Sequence, residues 1–177
     1  MYVISNIDGM ASRRYRKIPI VHFRPTPSIV IKWIVKFVSE KKVRYVYDLG
    51  CGDGRILSEI ARKCNVRCVG YEIRLWLAKE AYSRVKRCKV EDKVLIVYGD
   101  MLYADISKAD VIILYLSRTV NNVLAEKVCK EVCKKLYLIT VDFPIDMWKP
   151  KVIKEFETPL GKHTVYVYIY KPSKSKV

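Results

Sequence analysis

The sequence predicts an α/β fold in which a mostly parallel, doubly wound sheet of seven strands is closed by a C-terminal antiparallel hairpin. Three observations carry this. Short β-branched apolar runs alternate with segments whose apolar residues recur at helical spacing, the rhythm of a parallel sheet with crossover helices. A glycine cluster, Gly50-Cys51-Gly52-Asp53-Gly54, joins the first such run to the helix after it. Beyond Val141 the rhythm changes to two neighbouring strands with no helix between them.

The elements follow in order. Thr26 reads as an N-cap with Pro27 at the first helical position, and Ile29, Val30, Trp33, Ile34, Phe37 and Val38 continue the helix. Val43 to Leu49 is a strand ending at the glycine cluster, and Arg55 to Lys63 a helix with Ile56, Leu57, Ile60 and Ala61 on one face. Val66 to Glu72 and Val94 to Tyr98 are strands on either side of a helix from Leu75 to Lys86. Val111 to Leu116 is apolar throughout, as a strand covered on both faces must be. A helix over Thr119 to Lys134, a strand over Leu136 to Val141 and a hairpin of Lys151 to Glu157 with His163 to Tyr170 complete the domain. The hairpin turns at Leu160-Gly161-Lys162, and Phe143 to Pro150 is too Pro-rich for a long helix.

A chain of 177 residues fits one domain, placed at 25–172 between a basic arm, 1–24, and a short basic tail, 173–177. No apolar run approaches the ~20 residues that span a bilayer, so a cytoplasmic protein without membrane contact is expected, and a monomer is the default because no helical face is excessively apolar. Lys and Arg number 34 against 18 acids, a net charge of +16. Arg13, Arg14, Arg16, Lys17 and Arg24 face only Asp8 in the arm, which offers a contact for nucleic acid. Cys64 and Cys68, and Cys129 and Cys133, are spaced four apart without a C-x-x-C motif, and the only histidines are His22 and His163. The cysteines therefore read as small core residues, Cys129 and Cys133 sharing a helix face, with a disulfide as the alternative, and no metal site is expected.

The chemistry gathers at the glycine cluster. A loop D-x-G-x-G-x-G after a buried strand lets backbone approach a ligand, and the helix after it presents free N–H groups. The spacing Gly50-x-Gly52-x-Gly54 differs from the G-x-G-x-x-G of nicotinamide and flavin proteins. Asp48 would repel a pyrophosphate but suits an ammonium group. S-adenosyl-L-methionine carries such an ammonium, a sulfonium and a ribose, and no phosphate. Glu72, 22 residues after Gly50, ends the second strand where an acid accepts ribose hydroxyls, and Asp100 ends the third, in reach of an adenine amino group. Three acids at the carboxyl ends of three successive strands are a cofactor-shaped set. Asp48, Gly50, Cys51, Gly52, Asp53, Gly54, Glu72, Asp100 and Thr26 are the expected cofactor-binding residues.

The segment Asp48 to Gly54 with Glu72 and Asp100 resembles the cofactor motifs of class I, seven-strand methyltransferases, whose fold is Rossmann-like. Phe23-Arg24-Pro25-Thr26-Pro27 and His163-Thr164-Val165-Tyr166-Val167-Tyr168 are similar to the small archaeal protein-lysine methyltransferases of broad specificity and non-SET type. Those are related to the histone lysine methyltransferases that lack a SET domain and to mitochondrial lysine methyltransferases of ATP synthase. The likeness covers about residues 21–170. It departs at Arg24, where an apolar residue is expected, and at Leu116 to Asn122, where relatives carry a more apolar stretch.

The resemblance implies direct methyl transfer to lysine side chains of protein substrates. No dedicated base is required, because an apolar slot beside a cationic sulfonium favours the neutral amine. Tyr115, Phe143 and Phe23 are the candidates for that slot. His163 reads as a strand-end hydrogen-bonding residue, and Asp142 and Asp146 as solvated or turn-forming. The alternatives are an RNA methyltransferase, favoured by the charge, and a non-catalytic nucleic-acid-binding or scaffold protein. There is no (D/N/S)-P-P-(Y/F) and no Pro-Cys after the fourth strand, which disfavours transfer to adenine N6 or cytosine C5 in the usual way.

Overall fold

In a computed structural model of the chain, the described residues are 2–4, with 2–4 described for backbone alone, 21–159 and 161–172. The elements are β1 (Tyr2–Ile4), α1 (Ser28–Ser39), β2 (Tyr45–Leu49), α2 (Arg55–Lys63), β3 (Arg67–Glu72), α3 (Leu75–Arg87) and β4 (Val94–Tyr98). A 3-10 turn over Met101–Tyr103 follows, then β5 (Val111–Leu114), α4 (Arg118–Glu131), β6 (Leu136–Val141), β7 (Val152–Thr158) and β8 (Gly161–Tyr170). One sheet holds all the strands in the order β1-β4-β3-β2-β5-β6-β8-β7. The pairs from β4 through to β6 are parallel, whereas β8 runs antiparallel to both β6 and β7.

The doubly wound layout follows from the two-residue period of the strands. In β5, Val111 and Ile113 join the core beneath α1, α2 and α3, while Ile112 and Leu114 join the core beneath α4. In β6, Ile139 and Val141 belong to the first core, Leu136 and Leu138 to the second. β8 repeats the division, with Val165 and Val167 on one side and Tyr168 on the other. All four residues of β5 are fully buried, which explains the unbroken apolar run.

The seven expected strands are present, and an eighth is added from the arm. Tyr2–Ile4 pairs parallel to β4 with Tyr2 opposite Ile96 and Ile4 opposite Tyr98. An open sheet edge offers a row of unpaired backbone groups, and β1 covers it. The first residues of the arm are therefore part of the sheet, while Arg13, Arg14, Arg16 and Lys17 and the tail lie outside the described residues, as does Leu160 of the hairpin turn.

Several boundaries differ from the sequence reading by one or two residues, as where β5 ends at Leu114 and β8 begins at Gly161, and two helix ends differ for a visible reason. Pro27, not Thr26, is the N-cap of α1: its extended ψ of 145° makes it the half-helical residue, and its carbonyl accepts the N–H of Ile31 at 3.1 Å. Helix α4 stops at Glu131, because Val132 is extended and Lys134 turns to Asp110 at 2.6 Å. Cys133 is consequently exposed and off the helix rather than a core partner of half-buried Cys129. Cys51, Cys64 and Cys68 are buried as expected, and no disulfide joins any of the six cysteines.

Candidate active site

The loop after β2 is shaped by its own backbone. The N–H groups of Gly50 and Cys51 both donate to the Tyr71 carbonyl at 2.9 Å, and Gly54 N–H donates to the Cys51 carbonyl at 3.0 Å. Gly54, at φ +73°, caps α2, and a Cβ there would lie 3.0 Å from the Cα of Ala81 in α3. Gly52, at φ +55°, lies under Phe23, whose ring would stand 2.6 Å from an added Cβ. Glycine is required at both by conformation and by contact. The Cys51 side chain points into the core, and burial pushes its thiol well up, so only its backbone belongs to the loop surface.

Three acids surround this loop, and the structure uses each differently. Asp53 is paired with two arginines, accepting from Arg55 Nη2 at 2.6 Å and Arg84 Nη2 at 2.9 Å. Burial would raise its carboxyl, but the hydrogen bonds and charge of Arg55, with the charge of Arg84, outweigh this and hold it low. Asp53 thereby fastens the loop to α2 and α3. Glu72, 1% exposed, accepts Gly52 N–H on Oε2 at 3.0 Å and both Arg74 N–H and Nε on Oε1 at 2.9 Å. Asp48, 2% exposed, has no hydrogen-bonding or ion-pair partner among the described residues. Its carboxyl is pushed up to about 8, chiefly by burial and then by the charges of Glu72 and Asp53.

An unpaired buried carboxylate is costly unless a cation meets it. Asp48 lines a cleft with Gly50, Gly52, Phe23, Thr26 and Tyr115. An acceptor at Asp48 fits the ammonium of S-adenosylmethionine, and Arg24, Arg55 and Arg74 line the same cleft. Thr26 is buried in the cleft wall. Asp100 stands apart: it caps the 3-10 turn by accepting Leu102 N–H at 2.9 Å and does not line this cleft.

Sequence reasoning passed over Arg74 and Trp76. Besides binding Glu72, Arg74 donates from Nη1 to the Val21 carbonyl at 3.2 Å, and its guanidinium lies 5.9 Å from the Phe23 ring centre. Trp76 meets Phe23 edge to face at 6.2 Å. Together they hold the segment 21–26 over the loop. An arginine two residues past a strand-end acid was the available signal.

On the opposite wall, Tyr115 donates its hydroxyl to Asp142 Oδ2 at 2.6 Å, and His163 Nδ1 lies 2.9 Å from the same oxygen. Asp142 Oδ1 accepts the N–H of Thr164 at 3.0 Å. Asp142 does form a turn, with φ +64°, but it is half-buried and hydrogen-bonded instead of solvated. The Tyr115 hydroxyl is held well above the usual tyrosine range by burial first and the Asp142 carboxylate next, so it stays protonated. Phe143, 37% exposed, follows Asp142 in the chain but does not line the cleft that Tyr115 and Phe23 share.

The polar stretch after β5 also acquires a reason. Ser117 caps α4 by accepting Val120 N–H at 3.4 Å, and Asn121 Nδ2 donates to the Phe143 carbonyl at 2.8 Å. Arg118 Nε and Asn122 Nδ2 each donate to Asp146 at 2.7 Å. Residues 118–122 therefore clip the loop after β6 to the start of α4, which sets where Asp142 and Phe143 stand.

The sheet order, the glycine loop and the strand-end acids define a class I methyltransferase whose cofactor is S-adenosylmethionine. Within that class, the chain belongs to the ANTKMT methyltransferase domain family, which matches residues 48–152. It is 35% identical over 153 residues to a protein-lysine N-methyltransferase of Saccharolobus islandicus, covering 86% of this chain and 95% of that one. It is 27% identical to the adenine nucleotide translocase lysine N-methyltransferase of Mus musculus, spanning about half of it, 51%. Among solved structures, an RNA methyltransferase from Salinibacter ruber in complex with S-adenosyl-L-homocysteine matches with a TM-score of 0.78 and 32% identity, covering 87% of this chain and 98% of that one. Among the described residues, no helix is long and apolar enough to cross a membrane.

Proposed function

We propose that this protein is a protein-lysine N-methyltransferase, a reading carried by its 35% identity over 153 residues to the Saccharolobus islandicus enzyme. In this reading Asp48 meets the cofactor ammonium and Glu72 the ribose hydroxyls, with Asp100 at the adenine edge and Thr26 at the carboxylate. Gly50, Cys51, Gly52 and Gly54 supply close-lying backbone, and Asp53 holds the loop in shape. Phe23 and Tyr115 form the substrate slot, and Phe143 stands outside the cleft that they share.

S-adenosylmethionine held there would supply an electrophilic methyl group on a sulfonium, a leaving group that takes the bonding pair. The protein's residues exclude water and align the amine with that methyl, which is where rate is gained. Phe23, packed between Gly52, Arg74 and Trp76, covers the site from the solvent side. The lysine, with an ordinary pKa of ~10.4, sheds its proton to water on entering the apolar slot. The domain, 25–172, is read as a cytoplasmic monomer.

RNA methylation is the second reading, favoured by the net charge of +16 and by the name of the Salinibacter ruber relative. Incubation with methyl-labelled cofactor in a cell extract, followed by protease or nuclease, separates the two. Label lost to protease supports lysine transfer; label lost to nuclease overturns it.

A further inference from the structure

We propose that Tyr115 selects the acceptor amine through its remaining lone pairs, because Asp142 has fixed its hydroxyl as an acceptor toward the cleft. This rests on the lysine reading and deepens it. The observation is a convergence of three side chains from three strand ends. Tyr115 follows β5, Asp142 follows β6 and His163 lies in β8, and they meet at Asp142 Oδ2.

A tyrosine hydroxyl has one proton and two lone pairs. The proton is committed to Asp142 at 2.6 Å, a short bond to a charged acceptor. The carboxylate cannot turn away, since Oδ1 holds Thr164 N–H and Oδ2 also receives His163 Nδ1–H. His163 is buried, and its Nε2 has no partner among the described residues, so the ring has no competing bond to draw it from Asp142. Asp142 itself occupies the left-handed region at φ +64°, a conformation that only a few residue types accept readily. The hydroxyl also lies 3.5 Å from His163 Nδ1, so what Tyr115 has left to offer in the cleft that it lines is acceptor capacity and no proton.

The consequence is chemical. A neutral lysine amine has two N–H bonds and one lone pair. If Tyr115 accepts one N–H, the amine lone pair is left free and can be aimed at the methyl group. A hydroxyl free to donate would bond that lone pair and disable it. Monomethyl-lysine retains one N–H for the tyrosine, whereas dimethyl-lysine has none. Tyr115 is thus a substrate-contacting residue that favours N–H-bearing amines, and Asp142 and His163 are positioning residues acting through it.

Cell-extract protein provides a test without a named substrate. One half is left native and the other is reductively methylated with formaldehyde and borohydride, which converts lysines to dimethyl-lysines. Both are treated with nuclease and labelled with methyl-labelled cofactor. The wild-type protein is expected to label native lysines faster than dimethylated ones. Tyr115→Phe should slow transfer to native lysines about tenfold, the worth of one hydrogen bond, and slow transfer to dimethyl-lysines much less. Asp142→Asn keeps the turn, but its amide N–H would donate to Tyr115 and turn the hydroxyl into a donor. It should show the same loss of preference. Cofactor affinity and melting temperature, measured alongside, should match the wild type in at least one variant. Equal slowing on both substrates, or a wild type without preference, overturns the inference while leaving the lysine reading intact. A wild type that labels no protein in either half overturns the lysine reading, and the inference with it.

Discussion

Arg74 donates twice to one oxygen of Glu72, from its backbone N–H and from Nε, each at 2.9 Å, while Gly52 N–H takes the other oxygen at 3.0 Å. One buried carboxylate thus joins the loop after β2 to the loop after β3. Glu72→Gln keeps an acceptor for one side and loses the charge that holds the other. The loss of one charge-assisted bond, worth ~1.5–3 kcal/mol, should weaken cofactor binding roughly tenfold to a hundredfold. Titration calorimetry measures it; an unchanged Kd would remove Glu72 from the cofactor site.

Asp48 predicts a pH dependence. Its carboxyl is raised from 3.8 to about 8, so between those values the folded protein holds a proton that the unfolded chain has lost. For this group the cofactor-free protein is most stable at low pH, and stability falls as pH rises through the window, levelling above about 8. A cation bound at Asp48 drives the proton off. At pH 6.5, cofactor binding should release about one proton. Calorimetry in buffers of different ionisation enthalpy reads this, and Asp48→Asn should abolish both the release and methyl transfer. Proton release that persists in the variant would place the titrating group elsewhere.

Gly54→Ala should destabilise the fold, because φ +73° disfavours a side chain and the new Cβ would stand 2.9 Å from Ala81 Cβ and 3.0 Å from its Cα. A cost of ~1–3 kcal/mol is expected in urea denaturation. A smaller loss would mean that α3 moves aside easily.

Asn121→Ala removes the donor to the Phe143 carbonyl and loosens the loop that carries Asp142. Methyl transfer should fall while cofactor Kd stays at the wild-type value, and hydrogen exchange should quicken in residues 142–151. Transfer at the wild-type rate would show that Asp146, held by Arg118 and Asn122, suffices to place the loop.

The alternation of strands and helices, the positions of the glycines and the strand-end acids were legible in the sequence. Each depends on local periodicity or on backbone conformations that few residues tolerate. The helix Arg55–Lys63 and the strands Val94–Tyr98 and Leu136–Val141 lie where apolar spacing puts them. The same spacing could not show that Tyr2–Ile4 would cover the edge of β4, since pairing between parallel strands joins residues far apart in the chain.

Within the site, sequence alone determined the glycine loop and the placement of Asp48 and Glu72 beside it. Tertiary structure decided what each acid has left to offer. Asp53 and Asp48 look alike in the sequence, yet two arginines from α2 and α3 neutralise the first, while the second is buried with no partner among the described residues and its carboxyl is pushed up. Asp142 read as a turn residue because its partners, Tyr115 and His163, are 27 and 21 residues away. Charge and hydrogen bonding act through space over a few ångströms, so the role of a buried acid is set by the strands that the fold brings beside it, which the one-dimensional pattern does not contain.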